Sequence, residues 1–354
     1  MALTSFELLY GEYLRQTDAA GQLWVLTDSL VDSCKQLIDQ VSAADAEPNT
    51  TVLITNRWDI ANYSQKTIIF NDYDLSVAAE KKISHVYFHI PKEKAVLNYL
   101  LNQCAAYLPS NSRVFIAGEK NQGIKGLAKA AKPLFDTIAT QKHGDLYLCE
   151  LATKSDASPS QTPLKDQNYQ QLRVIGELDG NALYSKPGVY GWNKIDAGSA
   201  LLVDYLKQSQ SAINAHTQSV LDLGCGYGFL TLAAHQLGIK SISATDNNAG
   251  ALLALQATAH HNQFDVTAWP DDTAASCHQK FDLILCNPPF HQGFEHSKDL
   301  SSKFCQAIAR LKASDGQALV VVNQFIKLEA FTAGLFKQTT PVAGNGSYTI
   351  YCLR

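Results

Sequence analysis

Three groups of residues in this chain combine types and spacings that could do chemistry together. Asp222 is followed by glycines on alternate positions, Gly224, Gly226 and Gly228, with Cys225 between the first two. Asp246 and Asn247 come about 20 residues later, the interval at which an acid meets ribose hydroxyls in nucleotide-binding folds. Asn287-Pro288-Pro289-Phe290 is the third group. Two successive prolines fix φ and remove two backbone donors, so acceptors remain: the Asn287 amide oxygen and the Pro288 carbonyl. Phe290 adds a flat apolar face. That set suits a planar group bearing an NH2, with both amine hydrogens held and the ring stacked. Such an amine is a poor nucleophile, and hydrogen bonds that strengthen as it becomes cationic favour the transition state over the ground state. Position 287 requires an acceptor, so aspartate there is expected to keep more activity than alanine.

The glycine stretch excludes two common ligand loops. A dinucleotide loop requires G-x-G-x-x-G, and the third position here is Phe229. A phosphate-cradling P-loop requires Gly-Lys-Ser/Thr, which does not follow. An acid ahead of the turn suits a ligand carrying positive charge.

These groups need elements to place them. Val220-Leu221-Asp222-Leu223 reads as a buried strand, the glycines as a turn, and Phe229 onward as a helix. Ser241 to Thr245 reads as a second strand ending at Asp246, and Val266 to Trp269 as a third. Asp271 or Asp272 after it is placed to take an adenine amino group, or is solvated. Phe281 to Cys286 is a fourth strand, running into Asn287. Upstream, Asp179-Gly180 is a two-residue hairpin signal. Asp196, before a helix of Ala200 to Leu206, caps that helix or closes one side of the ligand pocket.

The first half repeats this alternation. Leu23 to Leu26, Val52 to Ile54, Thr67 to Phe70, Val86 to Ile90 and Arg113 to Ala117 read as strands, with a helix from Lys92 to Tyr107. The order predicts a parallel sheet covered by helices. Val86 to Gly118 and Leu283 to Asn323 share the pattern strand, proline, helix, strand. The expectation is therefore α/β, two Rossmann-like domains, a duplication whose first copy is degenerate. Two unrelated α/β domains is the competing reading. Boundaries are expected at 1–152, a linker at 153–166, and 167–354. Lys125, Lys129 and Lys132 fall on one helix face at i, i+4 and i+7; they are solvated or contact phosphate.

At 354 residues, 46% hydrophobic and 18% charged, the chain is globular and long enough for two cores. No apolar run reaches membrane-spanning length, and the first residues lack a basic stretch before an apolar one, so a cytoplasmic protein is expected. Eight cysteines without a C-x-x-C pair give no zinc ribbon, and no metal is expected. A monomer is expected. The net charge of −4 neither advertises nor forbids nucleic-acid binding.

Together these residues resemble the class I methyltransferases that carry an N-P-P-[YF] motif. The longer string Asn287 to Gly293, with His291 and Gly293, and the upstream Pro187-Gly188-Val189-Tyr190 and Asp196-x-Gly198-Ser199, resemble the guanine-N2 rRNA methyltransferases of the small subunit. The resemblance covers the whole chain and is specific in its second half. It implies S-adenosylmethionine as cofactor and one guanine of 16S rRNA in the small ribosomal subunit as substrate. Asn287, Pro288 and Phe290 are then catalytic. Asp222, Gly224, Cys225, Gly226, Gly228, Asp246, Asn247, Asp271 and Asp196 bind cofactor. Pro289, His291, Gly293 and the three lysines bind substrate. Around Trp269-Pro270-Asp271-Asp272 the family string is not reproduced. Three rivals stand: a large-subunit guanine-N2 enzyme, a release-factor glutamine methyltransferase, and a non-catalytic RNA-binding assembly factor. The first half is too long and strand-rich for the second of these.

Overall fold

The computed structural model describes residues 3–16, 21–27, 32–44, 51–64, 67–154, 162–209, 217–289 and 296–354. The chain divides into two compact units, Met1–Gln170 and Gln171–Arg354.

The first unit holds a seven-stranded sheet: β1 (Gln22–Leu26), β2 (Thr51–Thr55), β3 (Ile69–Phe70), β4 (His85–His89), β5 (Arg113–Glu119), β6 (Phe135–His143) and β7 (Leu146–Thr153). Their order across the sheet is β3-β2-β1-β4-β5-β7-β6. Helices α1 (Ser5–Arg15), α2 (Asp32–Ala44), α3 (Trp58–Ala61), α4 (Val77–Glu80), α5 (Lys94–Tyr107) and α6 (Ile124–Ala131) complete it. Successive residues of β1 serve opposite cores. Leu23 and Val25 pack with Val86 and Phe88, while Trp24 and Leu26 pack with Tyr87 and Phe115. A strand buried on both faces must be apolar throughout, which is why β1 reads as a continuous apolar run.

The second unit opens with a hairpin, β8 (Arg173–Leu178) and β9 (Asn181–Ser185). Asp179 and Gly180 turn it with positive φ at both positions, as the dipeptide predicts. There follow α7 (Ala197–Gln208), β10 (Ser219–Leu223), α8 (Phe229–Gln236), β11 (Ser241–Asp246), α9 (Ala249–His261), β12 (Thr267–Pro270) and β13 (Phe281–Cys286). Then come α10 (His296–Leu311), β14 (Lys312–Asn323), α11 (Glu329–Thr332), β15 (Thr339–Gly344) and β16 (Tyr348–Leu353). The sheet order is β12-β11-β10-β13-β14-β16-β15, the order of the first unit repeated. The strand order changes direction beside β10, so the crevice for a ligand lies at the carboxyl ends of β10, β11 and β13.

Two expectations need correcting. The sheets are mixed, because β7 and β16 run antiparallel to both their neighbours. Their hairpin partners escaped sequence reading: β6 is polar and exposed along most of its length, so it carries no buried-strand pattern. The boundary between units also lies later than 166. Residues 162–170 pack on α5: Asn98 Nδ2 donates to the Lys165 carbonyl at 2.7 Å and Asn102 exchanges bonds with Leu164. Tyr169 stacks on Tyr99 with ring centroids 4.4 Å apart.

Candidate active site

The three glycines of the turn share one backbone requirement and differ in what a side chain would meet. All three have positive φ, at 76°, 53° and 86° for Gly224, Gly226 and Gly228. A Cβ on Gly228 would lie 2.4 Å from Leu255 Cδ1, so this glycine lets α8 approach α9. A Cβ on Gly226 would meet no protein atom within 4 Å. The N–H groups of Gly224 and Cys225 donate to the Thr245 carbonyl at 2.9 and 3.0 Å, tying the turn to β11.

Asp246, at the tip of β11, accepts from the Gly226 N–H at 2.8 Å on one oxygen and from the Asn248 N–H at 2.9 Å on the other. The carboxylate is thereby fixed at the strand tip, beside the glycine turn. Asp222 is buried. One of its oxygens accepts from the Thr231 hydroxyl at 2.6 Å, and the other finds no partner. Burial, with Asp246 adding to it, pushes the Asp222 carboxyl up to about 7 against the bonds from Thr231. An orphaned buried oxygen on a carboxyl that resists ionisation is what a nearby positive charge would relieve. Cys225 is buried and its thiol is pushed up by burial, Asp246 and Asp222; its backbone, not its sulfur, shapes the loop.

Asn287 follows β13. Its Nδ2 donates to Asp196 Oδ2 at 2.7 Å and to Ser199 Oγ at 2.8 Å. A carboxylate only accepts, so Asp196 fixes which way the amide faces. Both amide hydrogens are thereby used, and no group among the described residues donates to Asn287 Oδ1. Asp196 Oδ2 also accepts from the Ser199 N–H at 2.8 Å, capping α7. Of the two roles foreseen for Asp196 the cap is present, and the same carboxylate also clamps Asn287. Gly198 leaves room for this arrangement: a Cβ there would lie 3.0 Å from the Tyr348 ring and 3.1 Å from Asp196 Oδ2. From the glycine turn, the Tyr227 hydroxyl accepts from the Asp196 N–H at 3.2 Å and donates to the Lys194 carbonyl at 3.4 Å.

The remaining foreseen residues fall into place unevenly. Asp271 is buried at the end of β12, its N–H on the Asp246 carbonyl and one carboxylate oxygen held by Ser276. Asp272 pairs with Lys303 at 3.3 Å and faces outward. Asn247 stands beside Asp246, partly buried, and Pro288 and Pro289 follow Asn287 directly. Phe290, His291 and Gly293 lie outside the described residues. Lys125, Lys129 and Lys132 are exposed on α6 of the first unit, opposite the buried Ile124, Leu127 and Ala131. Sequence reading missed Ser199, Thr231 and Tyr227 as members of the site. Only Ser199 carried a signal, through the Asp196-x-Gly198-Ser199 string. Among the described residues no group of three or more His, Cys, Asp or Glu side chains could hold a metal ion. No described helix is long and apolar enough to cross a membrane.

Comparison with known proteins follows the two units. Residues 180–352 match the methyltransferase small domain, and residues 18–163 match the methyltransferase small domain N-terminal family. A relative in Shewanella pealeana, ribosomal RNA small subunit methyltransferase C, is 30% identical over 273 residues, covering 75% of each chain. The protein of the same name in Acinetobacter baylyi is 26% identical over 79% of this chain and 82% of its own. Among solved structures, the Thermus thermophilus 16S rRNA N2 methyltransferase acting on guanine 1207, in complex with AdoMet and guanosine, superposes with a TM-score of 0.76. It is 21% identical, and the match covers 94% of this chain and 87% of that one.

Proposed function

We infer the reaction from kinship and geometry together: the chain belongs to the ribosomal RNA small subunit methyltransferase C family. We propose that it transfers a methyl group from S-adenosylmethionine to the N2 amine of one guanine in 16S rRNA, the equivalent of guanine 1207, within the small ribosomal subunit. Ribosomes as substrate put the enzyme in the cytoplasm.

The residues at the strand ends fit this cofactor. The orphaned Asp222 oxygen suits a cationic neighbour, the open space at Gly226 admits a ligand against the backbone, and Asp246 is a carboxylate fixed at the strand tip, the chemistry that accepts from ribose hydroxyls. Asp271, next to Asp246, is the better of the two acids for an adenine amine, since Asp272 is already paired. When bound, S-adenosylmethionine supplies a methyl group on a sulfonium.

The observation that carries the proposal is the clamped amide. With its NH2 held by Asp196 and Ser199, Asn287 presents only an oxygen to a substrate. An acceptor fixed in advance fits an amine that must donate. Asn287 Oδ1 and the Pro288 carbonyl would hold the two amine hydrogens, turning the nitrogen lone pair out of the guanine ring. Those bonds strengthen as the nitrogen becomes cationic, at no cost of reorganisation. The proton leaves to solvent after methyl transfer, so no strong base is needed; the carboxylate beside Asn287, Asp196, is engaged by the amide and by the Ser199 N–H. Phe290 is proposed to stack on the base, offsetting part of the cost of extruding it. In the first unit, the exposed lysines of α6 are proposed to contact phosphate.

The test is nuclease digestion and mass spectrometry of 16S rRNA from a strain lacking the protein. N2-methylguanine should be absent at one position and restored when purified protein and S-adenosylmethionine are added to the small subunits. An unchanged methylation profile would sink the proposal.

A further inference from the structure

The two most exposed large apolar side chains among the described residues are both aromatic, and both stand on the rim around Asn287. Phe325 is 82% exposed and Tyr190 is 66% exposed; no other reaches those values. Singly exposed apolar residues are ordinary on a protein surface. Two aromatics at the highest exposures, at the mouth of one site, are not accounted for that way.

Their positions follow from the backbone. Phe325 lies just past β14, its N–H donating to Asn323 Oδ1 at 3.1 Å. Asn323 pairs with Tyr348, and the Tyr348 ring fills the space beside Gly198, next to the Asp196 carboxylate that clamps Asn287. Cys286 is level with Val320 on β14, so Asn287 is level with Val321. Phe325 then lies in the turn that closes β14, where the Ile326 N–H donates to the Asn323 carbonyl at 2.8 Å, at the same strand end as Asn287. Tyr190 lies in the segment between β9 and α7 that crosses the glycine turn. Asn248 Nδ2 donates to the Gly188 carbonyl at 3.4 Å, and Tyr227 bonds both to Lys194 and Asp196. Tyr190 sits between these anchors, in the turn where the Trp192 N–H donates to the Val189 carbonyl at 3.1 Å.

We propose that Phe325 and Tyr190 are stacking platforms for the RNA bases on either side of the target guanine. The inference rests on the guanine-N2 reaction proposed above and extends it to the neighbouring nucleotides. Extruding one base leaves its neighbours without a stacking partner, and an aromatic ring at each rim replaces what is lost. The mouth is poor ground for phosphate: the carboxylates of Asp196 and Asp246 stand at the strand ends, both engaged with backbone N–H groups. Recognition there falls to the π-faces of bases, which carry no charge to be repelled.

The experiment measures KM for small ribosomal subunits isolated from a strain lacking the protein. Phe325→Ala, Phe325→Leu, Phe325→Trp and Tyr190→Ala are compared, with S-adenosylmethionine affinity by calorimetry and thermal midpoint measured on each. Each alanine variant should raise KM about 5- to 150-fold, the range for one lost base stack. Cofactor affinity and thermal midpoint should not move. Tryptophan should match wild type, and leucine should behave like alanine, because leucine has apolar area but no π-face. Leucine performing as well as tryptophan would mean an apolar contact with a ribosomal protein, and the proposal falls. Unchanged KM in both alanine variants also overturns it, while leaving the reaction intact. If wild type transfers no methyl group, the reaction proposal fails instead, and subunit binding by the same variants still decides the stacking.

Discussion

Removing the Asp196 carboxylate tests whether Asn287 works because it is present or because it is held. Two contacts disappear in Asp196→Ala. The first is the cap on α7, an acceptor at 2.8 Å from the Ser199 N–H; its loss costs about 1 kcal/mol of stability. The second is the charge-assisted bond from Asn287 Nδ2 at 2.7 Å. That bond touches no substrate. It selects one side-chain rotamer and one amide face, and Ser199 Oγ alone holds the NH2 less firmly. Freed, the side chain must be ordered again in each turnover, at about 1 kcal/mol, and from the wrong face it offers the amine N–H groups. The expected loss in single-turnover rate is about 5- to 30-fold, or roughly 1–2 kcal/mol. Asn287→Ala loses the acceptor itself and should cost about 10²–10³. Asp196→Asn caps a helix as well as aspartate does, so its stability should stay near wild type while its rate lies between wild type and alanine.

The deciding measurement is methyl transfer to isolated small subunits by Asp196→Ala, Asn287→Ala and the double variant. With no Asn287 to hold, removing Asp196 should cost only the cap and no further rate. Rate losses that multiply in the double variant would refute the clamp, since independent sites add in free energy and coupled ones do not. Asn287→Asp now reads differently from its sequence expectation. It keeps an acceptor but sets two carboxylates face to face across the 2.7 Å contact that a donor now fills. It should fall toward the alanine variant, and Asp196→Asn in the same chain should recover part of the loss by supplying an N–H.

The two glycines nearest α8 should separate stability from binding. Gly228→Ala combines a positive φ with a Cβ 2.4 Å from Leu255 Cδ1 and should cost about 2–4 kcal/mol, seen as a fall in thermal midpoint. Gly226→Ala has open space around its Cβ, so it should lose only about 1–2 kcal/mol of stability yet bind S-adenosylmethionine poorly by calorimetry. Burial holds the Asp222 carboxyl at about 7, above its ordinary 3.8, so the group favours the folded chain at low pH and that contribution is lost as pH rises through 7. A cationic ligand reverses the preference: affinity should rise from about pH 6 to pH 8 with release of a proton, counted in buffers of different ionisation enthalpy, and Asp222→Asn should flatten the profile. Reversing the charge of Lys125, Lys129 and Lys132 together should weaken subunit binding and flatten its salt dependence by about two to three units of slope; an unaltered slope leaves the face merely solvated.

What could be read from sequence was chemistry that is local in the chain. The turn from Asp222 to Gly228 and the strand-end Asp246 declared themselves because each needs particular residues at fixed short intervals. The clamp did not, because Asn287 and Asp196 are 91 residues apart and each had a sufficient local explanation, as a motif member and as a helix cap. Thr231 was invisible for a related reason: a threonine on the inner face of an apolar helix looks like filler until its hydroxyl is seen on Asp222. Strand β6 was missed because it borders solvent, and sequence patterns report burial more than they report hydrogen bonding. The boundary slipped because Tyr169 and Gln170, beyond the proline-rich join, bond back to Asp72 and Tyr99 of the first unit.

The repeated strand order makes the first unit a control for the second. Thr55 ends β2 as Asp246 ends β11, and it makes the corresponding bond, accepting from the Arg57 N–H at 3.2 Å as Asp246 does from Asn248. Its own proton goes to the Leu26 carbonyl at 2.9 Å. A hydroxyl so used has no charge, and too few lone pairs to take two ribose hydroxyls. Ile90 follows β4 as Asn287 follows β13, but it is buried and packs against Gly118, where a Cβ would lie 2.2 Å from its Cγ2. After β4, apolar packing therefore stands where the second unit keeps a polar amide. Buried polar groups such as the orphaned Asp222 oxygen cost stability unless a ligand relieves them. The first unit carries no corresponding carboxylate at β1, β2 or β4 among its described residues, and the space goes to core. Among the described residues a nucleoside finds no acceptor-lined seat there, and a grip on RNA by the first unit is therefore proposed for its outer surface. On helix α6, Ile124, Leu127 and Ala131 anchor one side, while Lys125, Lys129 and the C-capping Lys132 are exposed, the face proposed above to contact phosphate.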